Sequence, residues 1–166
     1  MEQDAADARV DLEQVASPVT WGLRRRVLRP QAGRDGVAWP GDDDPGATHV
    51  AAFDRGSGDV VGVGSLLRQD WPSPWGDAER LTVPATSRAW RLRGMAVEPD
   101  RRGQGVGQGL LALLVEQAVL LDAEVLWCAA RLPAVSLYRR HGLVVQGPSH
   151  DPAHPVEHVL LALDRR

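Results

Sequence analysis

The longest regular pattern in the chain starts just after a run of alternating glycines near residue 105. Leu110, Leu113, Leu114 and Leu121 recur at spacings of three, four and seven, which predicts a helix with one core face. Upstream, Trp90–Val97 reads as a strand. Downstream, Val125-Leu126-Trp127-Cys128-Ala129-Ala130 is a short apolar run suited to a buried strand. Pro133 opens a second helix over Ala134–His141, closed at Gly142, where a left-handed C-cap is expected. Leu143-Val144-Val145 and Val156–Leu163 add strands on either side of a polar, Pro-rich connection.

The first half carries shorter signals. Residues 1–8 read as a flexible polar tail, and Val10, Leu12 and Val15 predict a short strand. Ser17-Pro18 offers an N-cap followed by proline at the first helical position. Trp21, Leu23, Val27 and Leu28 then share a helical face, with Arg24, Arg25 and Arg26 mostly off it, until Pro30 stops the helix. The segments Thr48–Asp54 and Asp59–Leu67 flank Arg55-Gly56-Ser57-Gly58, a hairpin signal. Residues 30–47 and 69–88 read as long irregular connections, and loops of that length in a compact domain are often functional or disordered. The predicted order is β, α, a run of β, then βαβαββ. That makes one domain over residues 1–166, a mixed α/β sheet flanked by helices.

Composition narrows the options. At 166 residues, a formal charge of −3 gives no general reason to expect nucleic-acid binding, which usually needs a basic face. No apolar run approaches the roughly 20 residues of a membrane span, so neither nucleic acid nor membrane is an expected partner. Met1-Glu2-Gln3-Asp4 is acidic where a secretory signal is basic and then apolar. Cys128 stands alone, which excludes an internal disulfide and a Cys-rich metal site. The five histidines show no metal-ligand spacing, so no metal is expected, and a cytoplasmic location is. Six Trp stand against one Tyr and one Phe. Trp71 and Trp75, in Asp70-Trp71-Pro72-Ser73-Pro74-Trp75, either pin this loop to the body of the protein or line a cleft.

Gly103, Gly105, Gly107 and Gly109 alternate where a strand passes into a helix. Glycine lets backbone N–H groups approach a ligand without Cβ obstruction, and a helix start adds unpaired N–H groups and a positive dipole end. Together they form an anion site suited to phosphate, with Arg101 and Arg102 adding cationic side chains. The bland alternative is a flexible turn. A Walker A loop needs a lysine, and the chain contains none. A dinucleotide fingerprint needs a third glycine where Gln108 or Leu110 stands.

The string Arg93-Gly94-Met95-Ala96-Val97-Glu98-Pro99-Asp100-Arg101-Arg102-Gly103-Gln104-Gly105-Val106-Gly107 resembles the central motif of the GNAT superfamily of N-acetyltransferases. In it, Arg102, Gly105 and Gly107 occupy the defining positions. Ala134-Val135-Ser136-Leu137-Tyr138-Arg139-Arg140-His141-Gly142-Leu143 is similar to a second motif of the same superfamily, with Leu143 where Phe is usual. The resemblance covers residues 90–163 well and the first half in general layout. It implies a mixed, mostly antiparallel sheet splayed at the acetyl-CoA site, with acetyl-CoA as co-substrate and a homodimer as a common arrangement. It also implies that amides of Gly103, Gln104, Gly105, Val106, Gly107 and Gln108 bind the pyrophosphate, and that the main chain of Met95, Ala96 and Val97 pairs with the pantetheine arm. Arg131 stands where many members carry an Asn on that arm, and it reaches a phosphate instead or makes no contact.

Transfer to an amine needs a positioned nucleophile and proton management. Tyr138, the only tyrosine, is placed by the motif near the sulfur as general acid; its bland reading is a helix residue with its hydroxyl at the rim. Glu98 reads equally as general base or as a solvated residue before the turn. Asp42, Asp43 and Asp44 form an acidic run that is usually just solvated, with Asp43 the candidate for drawing in a cationic amine. His49 and His158 sit on strand segments, and His158 borders the expected acceptor side. His141 complements a helix C-terminus, and Cys128 reads as an inert core thiol. The expected activity is acetyl transfer from acetyl-CoA to a primary amine of a small molecule or peptide. The competing readings are a non-catalytic acyl-CoA-binding module and a nucleotide-binding protein.

Overall fold

The computed structural model describes residues 9–33, 36–154 and 156–166. The tail expected over residues 1–8 lies outside them. Among the described residues, seven strands form a mixed, mostly antiparallel sheet: β1 (Val10–Val15), β2 (Thr48–Asp54), β3 (Val60–Arg68), β4 (Ala89–Val97), β5 (Val125–Arg131), β6 (Val144–Ser149) and β7 (His158–Asp164). Their hydrogen-bonded order is β1-β2-β3-β4-β5-β7-β6. The helices are α1 (Pro18–Leu23), α2 (Val106–Leu120) and α3 (Val135–Arg140). No helix of the described residues is long and apolar enough to cross a membrane. Two compact units divide the chain. One comprises the chain up to Leu67 with Gly94–Gln117, and the other Arg68–Arg93 with Ala118–Arg166.

In the first unit, β1 pairs antiparallel with β2 from Val10↔Asp54 to Val15↔His49, and β2 pairs antiparallel with β3. The hairpin between them is closed by Asp54, whose Oδ1 accepts the amides of Gly56 and Ser57 at 2.8 Å each. This is the local bonding that makes Asp a turn residue. Leu23 of α1 packs with Ala51, Val63 and Ala96. Ser17 precedes Pro18 as the sequence suggests, but its backbone is already helical and its side chain caps nothing. Its hydroxyl instead takes the Nε1–H of Trp21 at 3.2 Å.

The helix expected to run to Leu28 is an α-helix only as far as Leu23 and continues as a π-type turn, Arg24–Leu28. Arg24, placed off the core face by its periodicity, is fully buried. The reason is Asp42, which is buried too and not the solvated residue expected of an acidic run. Arg24 Nη1 donates to Asp42 Oδ2 at 2.6 Å and to the Val37 carbonyl at 2.9 Å. Nη2 donates to Asp42 Oδ1 at 3.2 Å and to Ser65 Oγ at 2.9 Å. The guanidinium also lies 4.1 Å from the centroid of the Trp39 ring. The Ser65 hydroxyl reaches His49 Nδ1 at 2.7 Å, and His49 Nε2 donates to the Asp42 carbonyl at 2.8 Å. One buried cation thus joins α1, the loop before β2, and both strands of the hairpin.

Helix α2 buries Val106, Leu110, Leu111, Leu114 and Ala118. Leu113 is only half-buried, and Leu121 falls beyond the helix end. The true face therefore lies a little round from the leucine repeat. Its seat on β3 is bare backbone. A Cβ at Gly62 would stand 2.7 Å from Val106 Cγ1 and 2.8 Å from Leu110 Cδ1. One at Gly64 would collide with Met95 Sδ and come 3.0 Å from Leu114 Cδ1.

In the second unit, β4 and β5 run parallel from Ala89↔Val125 to Leu92↔Cys128, and β7 pairs antiparallel with both β5 and β6. Trp71, Ala89, Val125, Trp127, Leu160 and Ala162 form its core. Trp71 is 2% exposed, and its Nε1–H donates to the Val83 carbonyl at 2.9 Å. It therefore pins the irregular 69–88 connection, as one of its two sequence readings held. Gln146 does the same from a bulge in β6: its buried Oε1 accepts the amides of Thr82 at 2.8 Å and Val83 at 3.1 Å. Gly142, at φ +89°, follows α3 where the left-handed cap was expected.

Removing one partner of a buried ion pair leaves an uncompensated charge, which costs about 3–5 kcal/mol. Asp42→Ala is therefore expected to lower the unfolding free energy by that much, read as a lower urea midpoint at an unchanged m-value. The double variant Arg24→Met/Asp42→Leu is expected to lose less than Asp42→Ala alone.

Candidate active site

Strand β4 leaves the first unit's sheet at Val97, where the Glu98 amide still donates to the Val61 carbonyl at 2.9 Å. A single 3-10 turn, Pro99–Arg101, reverses the chain. Gly103 and Gly105 then adopt φ +74° and +83°, a region that side chains other than glycine enter at a cost. Arg102 Nε donates to the Val97 carbonyl at 3.3 Å, and Gln104 Nε2 to the Asp100 carbonyl at 3.0 Å. These bonds fasten the loop from its side chains. Its backbone is different: among the described residues, no protein acceptor takes the amides of Gly103, Gln104, Gly105, Val106, Gly107 or Gln108. A Cβ at Gly103 would meet nothing within 4 Å, so that position opens outward. The result is a row of unclaimed N–H donors at the positive end of α2, suited to a polyanion.

Arg101 Nε donates to Gln104 Oε1 of that loop at 3.2 Å. It is bonded to Asp54, the residue that closes the β2–β3 hairpin. The Ser57 amide, the Arg101 guanidinium and the Gly56 amide together hold the Asp54 carboxyl down to about 2. Glu98 is likewise engaged: Arg26 Nε and Nη2 donate to its Oε1 at 3.0 and 2.5 Å, while Oε2 accepts nothing among the described residues. Both pairs border an open depression of about 690 Å³, which Leu23, Val60 and Val61 floor with apolar surface. Met95 packs its side chain against Gly64, Ala96 joins the core beside Leu23, and Val97 is half-buried. Asp43 is exposed.

Tyr138, Arg131 and His158 belong to the second unit. Tyr138 is 4% exposed on α3, and no hydrogen bond among the described residues uses its hydroxyl. Burial, with a smaller contribution from Cys128, pushes its pKa well up, so the phenol stays protonated across the neutral range. Cys128 is buried in β5, and burial holds its thiol protonated as well. Arg131, at the end of β5, is exposed and opposite His158 in the β5–β7 ladder. His158 Nδ1 lies 2.7 Å from the Val156 carbonyl, which can only accept. The proton therefore sits on Nδ1, and Nε2 presents its lone pair. Burial pushes the imidazole pKa down, and the nearby Arg131 and Arg91 push the same way, while the Val156 carbonyl opposes them. His158 is then neutral at pH 7. Among the described residues, no group of three metal-ligating side chains is present.

Sequence reading missed the glycine seat under α2, although Gly62 and Gly64 stand two apart and so face one side of β3. It also missed the charge partners of Arg101 and Glu98, which come from segments more than forty residues away.

Residues 16–143 match the Acetyltransferase (GNAT) family. The uncharacterized N-acetyltransferase YitI of Bacillus subtilis is 24% identical over 152 residues, 92% of this chain and 94% of that protein. Among solved structures, a GCN5-related N-acetyltransferase from Kribbella flavida superposes with a TM-score of 0.67 at 17% identity, covering 94% of this chain and 98% of that one. The yncA protein of Salmonella typhimurium, solved with its cofactor acetyl-CoA, gives 0.64 at 17% identity, with 94% of each chain covered. The two structures speak for the fold. The family match spans well over half of the sequence, and the chain belongs to the GNAT acetyltransferase family. It is an acyltransferase, and acetyl-CoA is its co-substrate.

The Asp54 carboxyl gives a direct check on the hairpin that holds Arg101. Its folded value of about 2 lies below the ordinary 3.8. Its contribution to stability is therefore full above about pH 4 and is lost as pH falls toward 2. Carboxyl titration by NMR is expected to show this depressed value, and Arg101→Ala is expected to move it upward.

Proposed function

We propose that the chain transfers the acetyl group of acetyl-CoA to a primary amine of a small molecule or peptide, in a complex holding both substrates. The observation that carries this reading is the row of unclaimed amides from Gly103 to Gln108. A pyrophosphate needs several N–H donors at backbone height, and the outward-opening Gly103 leaves room for one to approach. The residues present fit that group. Arg102 stands beside the row, and the main chain of Met95, Ala96 and Val97 is assigned to the pantetheine arm. Arg131, exposed, is a candidate contact to the cofactor. A cytoplasmic location belongs to the same reading.

Bound acetyl-CoA supplies an activated thioester, so the protein's task is to orient an amine and move protons. Tyr138 Oη, protonated and engaged by no protein acceptor among the described residues, donates a proton to the departing sulfur. His158 Nε2, neutral and bearing its lone pair, takes one from the substrate's ammonium, which frees the amine lone pair for attack on the thioester carbon. Glu98 is the second reading for that base, through the Oε2 that Arg26 leaves open. Asp43 contributes exposed negative charge in the loop before β2 and nothing more specific. A binding module without chemistry would not need a buried, uncommitted phenol.

Calorimetry tests the cofactor site: acetyl-CoA is expected to bind, and Gly105→Val, which forces a side chain into φ +83°, is expected to abolish binding. Binding of ATP or NAD with none of acetyl-CoA would overturn the assignment. Tyr138→Phe is expected to cut kcat by 10²-fold or so with acetyl-CoA affinity nearly intact; unchanged turnover defeats the acid role. Thiol release from acetyl-CoA is a clean readout, since the chain has no lysine side chain to accept the acetyl group itself.

The base makes a separate prediction. With His158 as proton acceptor, kcat/KM is expected to hold its plateau down to a pH below 6.5, the ordinary imidazole value, and then to fall. His158→Gln is expected to remove the plateau. If Glu98→Gln removes it and His158→Gln does not, the base is Glu98.

A further inference from the structure

Strand β4 brings Arg91 and Arg93 into the second unit two residues apart, hence on one face of the strand. Arg91 is half-buried. Its guanidinium lies over the Trp127 ring, 5.0 Å from the centroid, and Nη1 donates to Gln69 Oε1 at 3.3 Å. Its Nε is sealed from solvent and has no partner. A guanidinium carries five N–H donors and stays charged at any working pH. Here a ring face and one amide oxygen serve it, and neither carries negative charge. Among the described residues, no carboxylate oxygen lies within the 4.0 Å of an ion pair.

The surroundings deepen the positive potential. Arg93 acts on Arg91, and Arg91 and Arg131 both act on His158. Asp151 is the carboxylate that acts on Arg91 and His158, and among the described residues it makes an ion pair with neither. Its Oδ1 accepts the Ala153 amide at 2.8 Å, and Oδ2 faces His154 Nδ1 at 3.4 Å. His154 in turn stacks on His158 at 4.3 Å between centroids. An arginine drawn partly out of water and kept only for structure is normally tied to a carboxylate, because an unpaired charge loses hydration there. The site that lowers this cost best is one that receives an anion from outside.

We propose that Arg91, with Arg93 beside it, binds an acid group on the acceptor, so that the substrate is a primary amine that also carries an oxyanion. The identity of the bound molecule as acceptor rests on the transfer reading above; the acid-binding site itself stands on Arg91. The guanidinium fork suits both carboxylate and phosphate-type groups, and both are arms of the test. In such a molecule the acid end is held at Arg91. The amine end is the part that His158 would deprotonate.

Matched sets of amines decide this: amino acids, their C-terminal carboxamides, and aminoalkyl phosphonates of equal length. They are titrated calorimetrically onto the protein with and without CoA. An acid member is expected to bind at least about tenfold more tightly than its carboxamide, as one charge-assisted contact would give. Arg91→Gln is expected to bring acid and carboxamide within about threefold of each other, with the carboxamide unchanged. Arg91→Lys, which keeps the charge and loses the fork, is expected to retain part of the preference, and it decides the matter should Arg91→Gln melt below the assay temperature. Phosphonate bound above carboxylate identifies a phosphate-type group, and the reverse a carboxylate. Equal binding of acids and carboxamides, no binding by any acid member, or a preference that survives Arg91→Gln overturns the proposal. A wild type that shows the acid preference but binds no acetyl-CoA would instead sink the transfer reading.

Discussion

A guanidinium stripped of water keeps its charge only where carboxylate, carbonyl and hydroxyl oxygens surround it, and Arg24 meets that condition in four directions. Asp42 takes two of its bonds, Val37 and Ser65 the others, and Trp39 covers its face. These partners come from two stretches of chain, the loop of Val37, Trp39 and Asp42 and strand β3 at Ser65, so the first unit has few ways to fold that leave both Nη groups of Arg24 satisfied. A buried ion pair is weak evidence of net stability, since an apolar pair of similar volume can do as well. Its value here is specificity of arrangement. The loop before β2, Pro- and Gly-rich and without regular structure of its own, is held in place by the bonds from Arg24 to Asp42 and Val37.

Strand β4 is the other organiser. Its first half brings Arg91 and Arg93, its second half brings Met95, Ala96 and Val97, and Gly94 stands between them at φ +66°. A Cβ there would press on Trp39 at 3.0 Å and on Arg24 Nε at 3.2 Å. The buried cation and the strand thus constrain each other. From Val97 onward the chain spends its polar side chains on holding the glycine loop and leaves the backbone amides uncommitted.

Much of this could be read from the sequence, for reasons that differ by element. Strands β4 and β5, helix α2 and the α3–Gly142 cap follow from local periodicity and from glycine's access to positive φ. The glycine loop was legible because an anion site is made by backbone and needs no distant partner. Arg24 was placed on the wrong side of its helix because helical phase reports solvent exposure and knows nothing of an aspartate eighteen residues on. Arg101 and Glu98 were read as available for the same reason: their counter-charges, Asp54 and Arg26, lie far away in sequence. The His158 tautomer was equally beyond reach, since it depends on how the loop before β7 presents the Val156 carbonyl.

Gly62 and Gly64 give β3 a role that its sequence conceals. The strand is the floor on which α2 rests, and the clearance is set by the thickness of main chain alone. The height at which the amides of Gly103 to Gln108 stand is therefore gauged by two residues that need touch no ligand. A single methyl group on that floor would act as a shim, lifting one end of the helix and tilting the whole row of donors. In this architecture the aim of the anion cradle is adjusted from beneath, and selection on the cradle is written partly in the absence of side chains elsewhere.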